Sequence, residues 1–215
     1  MKAASCASGI LVLTAFAAGL VDVLSFAKLG GAFTSAMTGN LALLGFYAAT
    51  GAVRPAIKSL IALAGFILGS AVGTIQDRRR ANRSAVSRIL ALETLIVTAC
   101  ALGSLYFSSS DHNDLMQVEI LMLAFAMGLQ GIVGARLGQT TVVFTVALIK
   151  IVSAVIGPAR EKSGAGERQR AAAVVVAYLI GALTAGVTIA THFAAALVIP
   201  AVAIGIAFWC ARGVE

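Results

Sequence analysis

The chain has 215 residues, of which 60% are hydrophobic, 22 are glycine and only 12% are charged. That charge content is about half of the roughly 25% usual in soluble domains. Together with a mean hydropathy of +0.97, it excludes an ordinary soluble enzyme, a disordered chain and a disulfide scaffold. The apolar stretches are continuous and about 17–23 residues long, the length of helices crossing a hydrocarbon core of about 30 Å. Strands of a membrane β-barrel would alternate apolar and polar residues instead. The formal charge of +7 fits basic loops on the cytoplasmic side of a membrane protein better than a nucleic-acid surface. Arg78-Arg79-Arg80 lies between two apolar runs with no interleaved aromatics, which suits anionic lipid headgroups.

Eight apolar segments run at about 9–27, 32–50, 57–76, 89–107, 115–134, 139–157, 171–191 and 194–210. The first, preceded by Lys2, has the look of a signal peptide, but its counterpart later in the chain makes it part of the fold. Short polar breaks separate the segments, the longest running from Pro158 to Arg170. The expectation is an all-α membrane protein: one polytopic bundle over 1–215, with no separate soluble domain.

Its two halves, about 1–107 and 108–215, resemble each other. Ala27-Lys28-Leu29-Gly30 matches Ala135-Arg136-Leu137-Gly138, and Gly19-Leu20 matches Gly128-Leu129. Gly65, Gly69 and Gly73 have Ala177, Gly181 and Ala185 as counterparts. Spacing by four puts each set on one helix face, where small residues let backbones approach closely.

Charge decides how the halves insert. If all eight segments cross, the loop lysines and arginines divide eight to seven between the two sides. If segments two and six instead enter and leave on one side, eleven fall together: Lys2, the five arginines of 78–88, the four basic residues of 160–170, and Arg212. The second arrangement obeys the positive-inside rule. It predicts six crossings plus two re-entrant or broken segments, with both termini cytoplasmic. Three crossings per half make an inverted repeat, a plan common in secondary transporters.

Chemistry concentrates in segment two. Leu29-Gly30-Gly31-Ala32-Phe33-Thr34-Ser35-Ala36-Met37-Thr38-Gly39-Asn40 is the most polar and glycine-rich part of any apolar segment. A break there exposes backbone groups, which survives only where protein buries them or water fills a cavity. A helix restarting near Asn40 would turn its N-terminal amides toward that cavity. Thr34, Ser35, Thr38 and Asn40 could equally bond within their own helices or glue neighbours together. Asp22 lies inside segment one among Ala, Gly, Val and Leu. An acid so placed faces the bundle interior and could carry a proton, or it is an ion-paired or hydrogen-bonded packing residue.

These residues carry a resemblance. Asp22, Leu29-Gly30-Gly31-Ala32-Phe33 and Thr38-Gly39-Asn40-Leu41 resemble the first signature of the YoaK-like family, and Met127-Gly128-Leu129-Gln130, Arg136 and Thr140 its second. The resemblance covers nearly the whole chain. It implies a bacterial integral membrane protein with six helices, and it supplies no activity. Two positions depart from the family pattern. Gly131 stands where Asn commonly follows Gln, and Thr145-Val146-Ala147 stands where Thr-Gly-Thr is common.

Other polar residues have plainer readings beside functional ones. Lys150, midway along segment six, could pair with Asp22 or snorkel to the surface. Gln130, Gln139 and Thr140 could line the second half's side of a cavity or bond between helices. Lys28 and Arg136 occupy matching places beside the two breaks and read as interfacial anchors. Glu93, within a turn or so of Arg88, and Glu119, close to Asp114, also read as interfacial. His112 and His192 stand alone at segment ends. Cys6, Cys100 and Cys210 are widely spaced, so neither a disulfide framework nor a metal site is expected. With no HExxH, P-loop or GxSxG, no enzymatic class and no cofactor are indicated.

The functional expectation is a small-solute transporter or channel of the bacterial cytoplasmic membrane. Asp22, Gly30, Gly31, Thr34, Thr38, Gly39, Asn40, Gln130, Gln139, Thr140 and Lys150 would lie along the pathway, and Gly65, Gly69, Gly73 and Gly181 would pack helices. The expected partners are the lipid bilayer and an unidentified solute, with no nucleic acid and with a homo-oligomer left open. A non-transporting membrane scaffold or subunit is the alternative.

Overall fold

A computed structural model describes residues 2–79, 85–106, 113–138, 165–189 and 193–213, and position 152. All the regular structure among them is helical. The helices are α1 (Lys2–Lys28), α2 (Met37–Ala49), α3 (Val53–Arg79), α4 (Ala85–Tyr106), α5 (Asn113–Arg136), α6 (Ala165–Thr188) and α7 (Phe193–Arg212). Five are long and apolar enough to span a membrane: α1, α3, α4, α5 and α6. The twenty-residue α7 is apolar too and carries Pro200 in its interior. At 13 residues, α2 is only about 20 Å long, short of a crossing of about 30 Å. Segment six, and with it the expected second break, lies outside the described residues apart from Val152.

The bundle is organised around α1, whose Ala15, Ala17, Leu20, Val21 and Leu24 are completely buried. The outer helices reverse the pattern of a soluble protein. Leu60, Ile67 and Leu68 on α3, Leu95 and Leu102 on α4, and Leu179 and Leu183 on α6 are all more than half exposed. Such a continuous apolar surface belongs against lipid tails.

With lipid outside, close packing inside depends on backbone approach rather than on hydrophobic burial. Two seats supply it. On α3, Gly65, Gly69 and Gly73 lie against Leu121, Phe125 and Ile132 of α5 in rising order, so these two helices run parallel. A Cβ on Gly69 would strike the Phe125 carbonyl, and one on Gly128 of α5 would strike the Phe66 carbonyl. The α1/α6 pair repeats the arrangement. A Cβ on Gly181 would strike the Phe16 carbonyl, and one on Gly19 the Tyr178 carbonyl. Leu11, Ala15, Val174 and Ala177 continue this contact. Gly65, Gly69, Gly73 and Gly181 thus each meet a facing helix, with Gly19 and Gly128 at the reciprocal positions.

Contacts at the helix ends give the directions. The end of α1 at Gly30 meets Lys58 near the start of α3. The Lys58 ammonium lies 3.1 Å from Met116 Sδ, near the start of α5. At the opposite face, Leu137 beyond α5 packs on the cluster of Leu11, Ala15, Val174 and Ala177 in the first halves of α1 and α6, and Cys6 Sγ lies 3.0 Å from the Cys210 carbonyl at the end of α7. α1 and α5, which carry the matching sequences, thus run antiparallel. That second face also holds the Asp77–Arg136 ion pair, between the ends of α3 and α5.

Candidate functional site

The break between α1 and α2 is built outward from Asp22. α1 ends because Gly30 and Gly31 take φ values of +100° and +85°, which side chains other than hydrogen disfavour. The Gly31 amide closes back on the Phe26 carbonyl at 2.9 Å, a helix-terminating bond of the Schellman kind. The chain then turns inward, and residues 32–36 run without helix.

Asp22, completely buried one and a half turns before that end, receives the segment. Its Oδ1 accepts hydrogen bonds from the Thr34 amide at 2.8 Å, the Thr34 hydroxyl at 3.0 Å and the Ser35 amide at 2.6 Å. Its Oδ2 accepts from the Ser35 hydroxyl at 2.5 Å and the Tyr178 hydroxyl at 2.8 Å. Two of the donors are backbone amides that would otherwise be stranded at membrane depth. The carboxylate therefore does for this segment what a helix would have done.

Asn40 makes the second clamp. Its Oδ1 accepts from the Phe33 amide at 2.9 Å while its Nδ2 donates to the Phe33 carbonyl at 2.6 Å. The Phe33 ring stacks on Phe26, with centroids 4.7 Å apart and planes 16° from parallel. Gly39 is small because that ring covers it: a Cβ there would lie 3.1 Å from Phe33 Cδ2. Asn40 and Thr34 are completely buried.

Not every expected residue joins this cluster. Thr38 is on the exposed side of α2, because two residues turn a helix by about 200° and Asn40 faces inward. Gln130 is buried apart from the break. Its Nε2 donates to the Thr14 carbonyl at 2.9 Å, joining α5 to α1. Gln139, Thr140 and Lys150 lie outside the described residues. Lys28 is exposed, and Arg136 is engaged with Asp77.

Two participants were not foreseen. Tyr178 reaches Asp22 across 156 residues of sequence, and its only signal was a hydroxyl inside an apolar run. Lys58 sits over Gly30, placing a cation at the carbonyl end of α1. Glu93, expected at the interface, is instead fully buried. Its spacing from Arg88 gave its depth but not the direction it faces. Glu119 is reached by the Ser104 hydroxyl at the other end of the α4/α5 pair.

Among the described residues no cluster of three or more His, Cys, Asp or Glu side chains could hold a metal ion. What the arrangement does chemically is hold a non-helical stretch of backbone inside a lipid-embedded bundle, with the side chains of Asp22 and Asn40 engaged at both polar atoms.

Comparison with known proteins agrees with this architecture. Residues 10–210 match the family described as "Protein of unknown function (DUF1275)". The chain is also similar to the UPF0700 transmembrane protein YoaK of Bacillus subtilis (strain 168), at 34% identity over 149 residues. That alignment covers 68% of this chain and 64% of the relative, so it spans slightly less than two thirds of the relative's length. No solved structure matches. On a match over residues 10–210, this chain belongs to the DUF1275 family.

Proposed function

We propose that this protein is a small-solute transporter of the bacterial cytoplasmic membrane, with six crossing helices arranged as two inverted halves and α2 as a re-entrant element. The observation that carries the reading is the pairing of matching sequences in opposed directions. α1 and α5 carry the repeated Gly-Leu and Ala-Lys/Arg-Leu-Gly elements yet run antiparallel. Each seats its glycine against a helix of the other half, α1 on α6 and α5 on α3. Inverted halves packed around interrupted helices are the means by which many transporters alternate access to a central site.

Orientation follows from charge. Arg78, Arg136 and Arg212 lie at helix ends on the face where α1 begins, and Arg170 opens α6, which runs parallel to α1. The opposite face carries Lys28, Arg54, Lys58, Asp114 and Glu119. The positive-inside rule makes the first face cytoplasmic. Trp209, with the Arg212 guanidinium 5.6 Å from its ring centre, anchors α7 at that surface.

A second reading has its own support. Asp22 accepts from five donors and Asn40 engages both backbone polar groups of Phe33, so both clamp side chains are occupied by the protein itself. That suits a scaffold subunit. Cysteine accessibility separates the two. In a variant lacking the native cysteines, Thr38→Cys should react with an impermeant methanethiosulfonate reagent, and an impermeant solute-sized reagent applied to each side in turn should reach Ser35→Cys from both. Protection of Ser35→Cys from both sides refutes the transport reading and favours the scaffold.

A further inference from the structure

Glu93 is a completely buried carboxyl inside α4, and neither of its oxygens has a hydrogen-bond partner. Among the described residues, one buried amide oxygen is in the same condition, Gln130 Oε1. Its amide orientation is chemically fixed. Nε2 must face the Thr14 carbonyl, because only the nitrogen can donate to it, and so Oε1 points the other way.

Helix geometry brings the two groups together. Ser104 of α4 donates to Glu119 of α5, which fixes the register of this antiparallel pair. Glu93 lies eleven residues before Ser104, and Gln130 lies eleven residues after Glu119. Eleven residues is about three turns and returns within about 20° of the same face. Glu93 and Gln130 therefore sit at one level, on the facing sides of α4 and α5.

Glu93 Oε1, Glu93 Oε2 and Gln130 Oε1 are all acceptors left without a hydrogen-bond partner. An ionised carboxylate in such surroundings is strongly disfavoured without a partner. No charged group among the described residues supplies one. On α4 itself, Arg88 is exposed near the helix start and Cys100 is about two turns further on. From α5 come Glu119, three turns away, and Arg136 at the end, engaged with Asp77. α7 brings Cys210 and Arg212 at its last turn, and α3 brings Asp77 and Arg78 at its own end. None of these is a hydrogen-bond partner of the Glu93 carboxyl.

We propose that Glu93 is the proton-binding site of this protein, and that the bound proton is donated to Gln130 Oε1. The proton comes from water and returns to it. An O–H bond forms on one Glu93 oxygen, and no other covalent bond changes. The resulting chain, Glu93 to Gln130 to the Thr14 carbonyl, ties α4, α5 and α1 into one polar line through the core. Removing the proton leaves the carboxylate facing an amide oxygen, so the deprotonated protein must repack α4 against α5. This gives the transport reading its coupling ion, and it rests on that reading only for its purpose.

The test needs no solute. Infrared spectra of the full chain in lipid nanodiscs should show the carbonyl stretch of a protonated carboxylic acid, shifting in deuterated water. Glu93→Gln, which keeps the size of the side chain, should abolish that band. Gln130→Leu should move it to higher frequency, because a hydrogen bond to the acid proton is lost. In the wild-type protein, dicyclohexylcarbodiimide should modify Glu93, as identified by mass spectrometry, and labelling should fall as pH rises. Four results overturn the proposal: a wild-type spectrum without the band, a band that survives Glu93→Gln, a band that Gln130→Leu leaves in place, or an unmodified Glu93. The wild-type measurements hold even where a variant fails to fold. Absence of solute flux with the band present would remove the transport reading instead and leave the proton site standing.

Discussion

Replacing Asp22 by alanine removes the acceptor for five hydrogen bonds at once. Three of the donors are hydroxyls, which can rotate toward other acceptors. The amides of Thr34 and Ser35 cannot. A buried donor left without a partner costs about 1–3 kcal/mol, so the two amides alone set a loss of about 2–6 kcal/mol. Asp22→Asn is milder. Its oxygen can keep both amides while its nitrogen donates to the hydroxyls of Ser35 and Tyr178, so the loss is mainly the charge-assisted part, about 1–3 kcal/mol. At about 2–4 °C per kcal/mol for a chain of this size, thermal melting in nanodiscs should fall by about 4–24 °C for Asp22→Ala, with Asp22→Asn between it and the wild type. Tyr178→Phe should cost about 1–3 kcal/mol alone, and much less in the Asp22→Ala background, because the two side chains act through one bond. Refutation would be Asp22→Ala melting within a degree or two of wild type, or Tyr178→Phe costing as much with Asp22 absent as with it present.

Two further substitutions test the packing. Gly181→Val should prevent α1 and α6 from closing, seen as loss of the monodisperse folded peak on size exclusion, because its side chain meets the Phe16 carbonyl. Gly103→Ala, with nothing within 4 Å of the new Cβ, should melt at or slightly above wild type, gaining up to about 1 kcal/mol of helix propensity. Asn40→Leu should leave the Phe33 amide and carbonyl unpaired, costing about 2–6 kcal/mol. It should also raise hydrogen exchange over 32–36 while leaving α4 protected. Equal exchange in both regions would show that the clamp is not local.

The helical elements and the break were legible because both are local. Continuous apolar length marks a crossing, while Gly30, Gly31 and the hydroxyls after them mark the interruption. The glycine seats were legible for a related reason: a spacing of four fixes the face. What the sequence could not supply was direction around each helix relative to a particular neighbour. Thr38 and Asn40, two residues apart, looked like one polar motif and turned out to point to opposite sides of α2. Glu93 had a depth without a direction. Tyr178 belongs to the Asp22 clamp only through the contact of α1 with α6, which no spacing within either segment encodes.

The α1/α6 seat has a consequence for how the molecule is made. Asp22 and Tyr178 are separated by 156 residues, and at synthesis rates of about 5–20 residues per second α1 enters the membrane about 8–30 s before its partner exists. Throughout that interval the Gly19 face is bare and Asp22 lacks one of its donors. The neighbouring Thr34 and Ser35, made within a few seconds of Asp22, satisfy most of the carboxylate locally. The first half can therefore wait in the bilayer with its acid largely shielded, and the last donor arrives only when the sixth helix locks the nascent bundle shut.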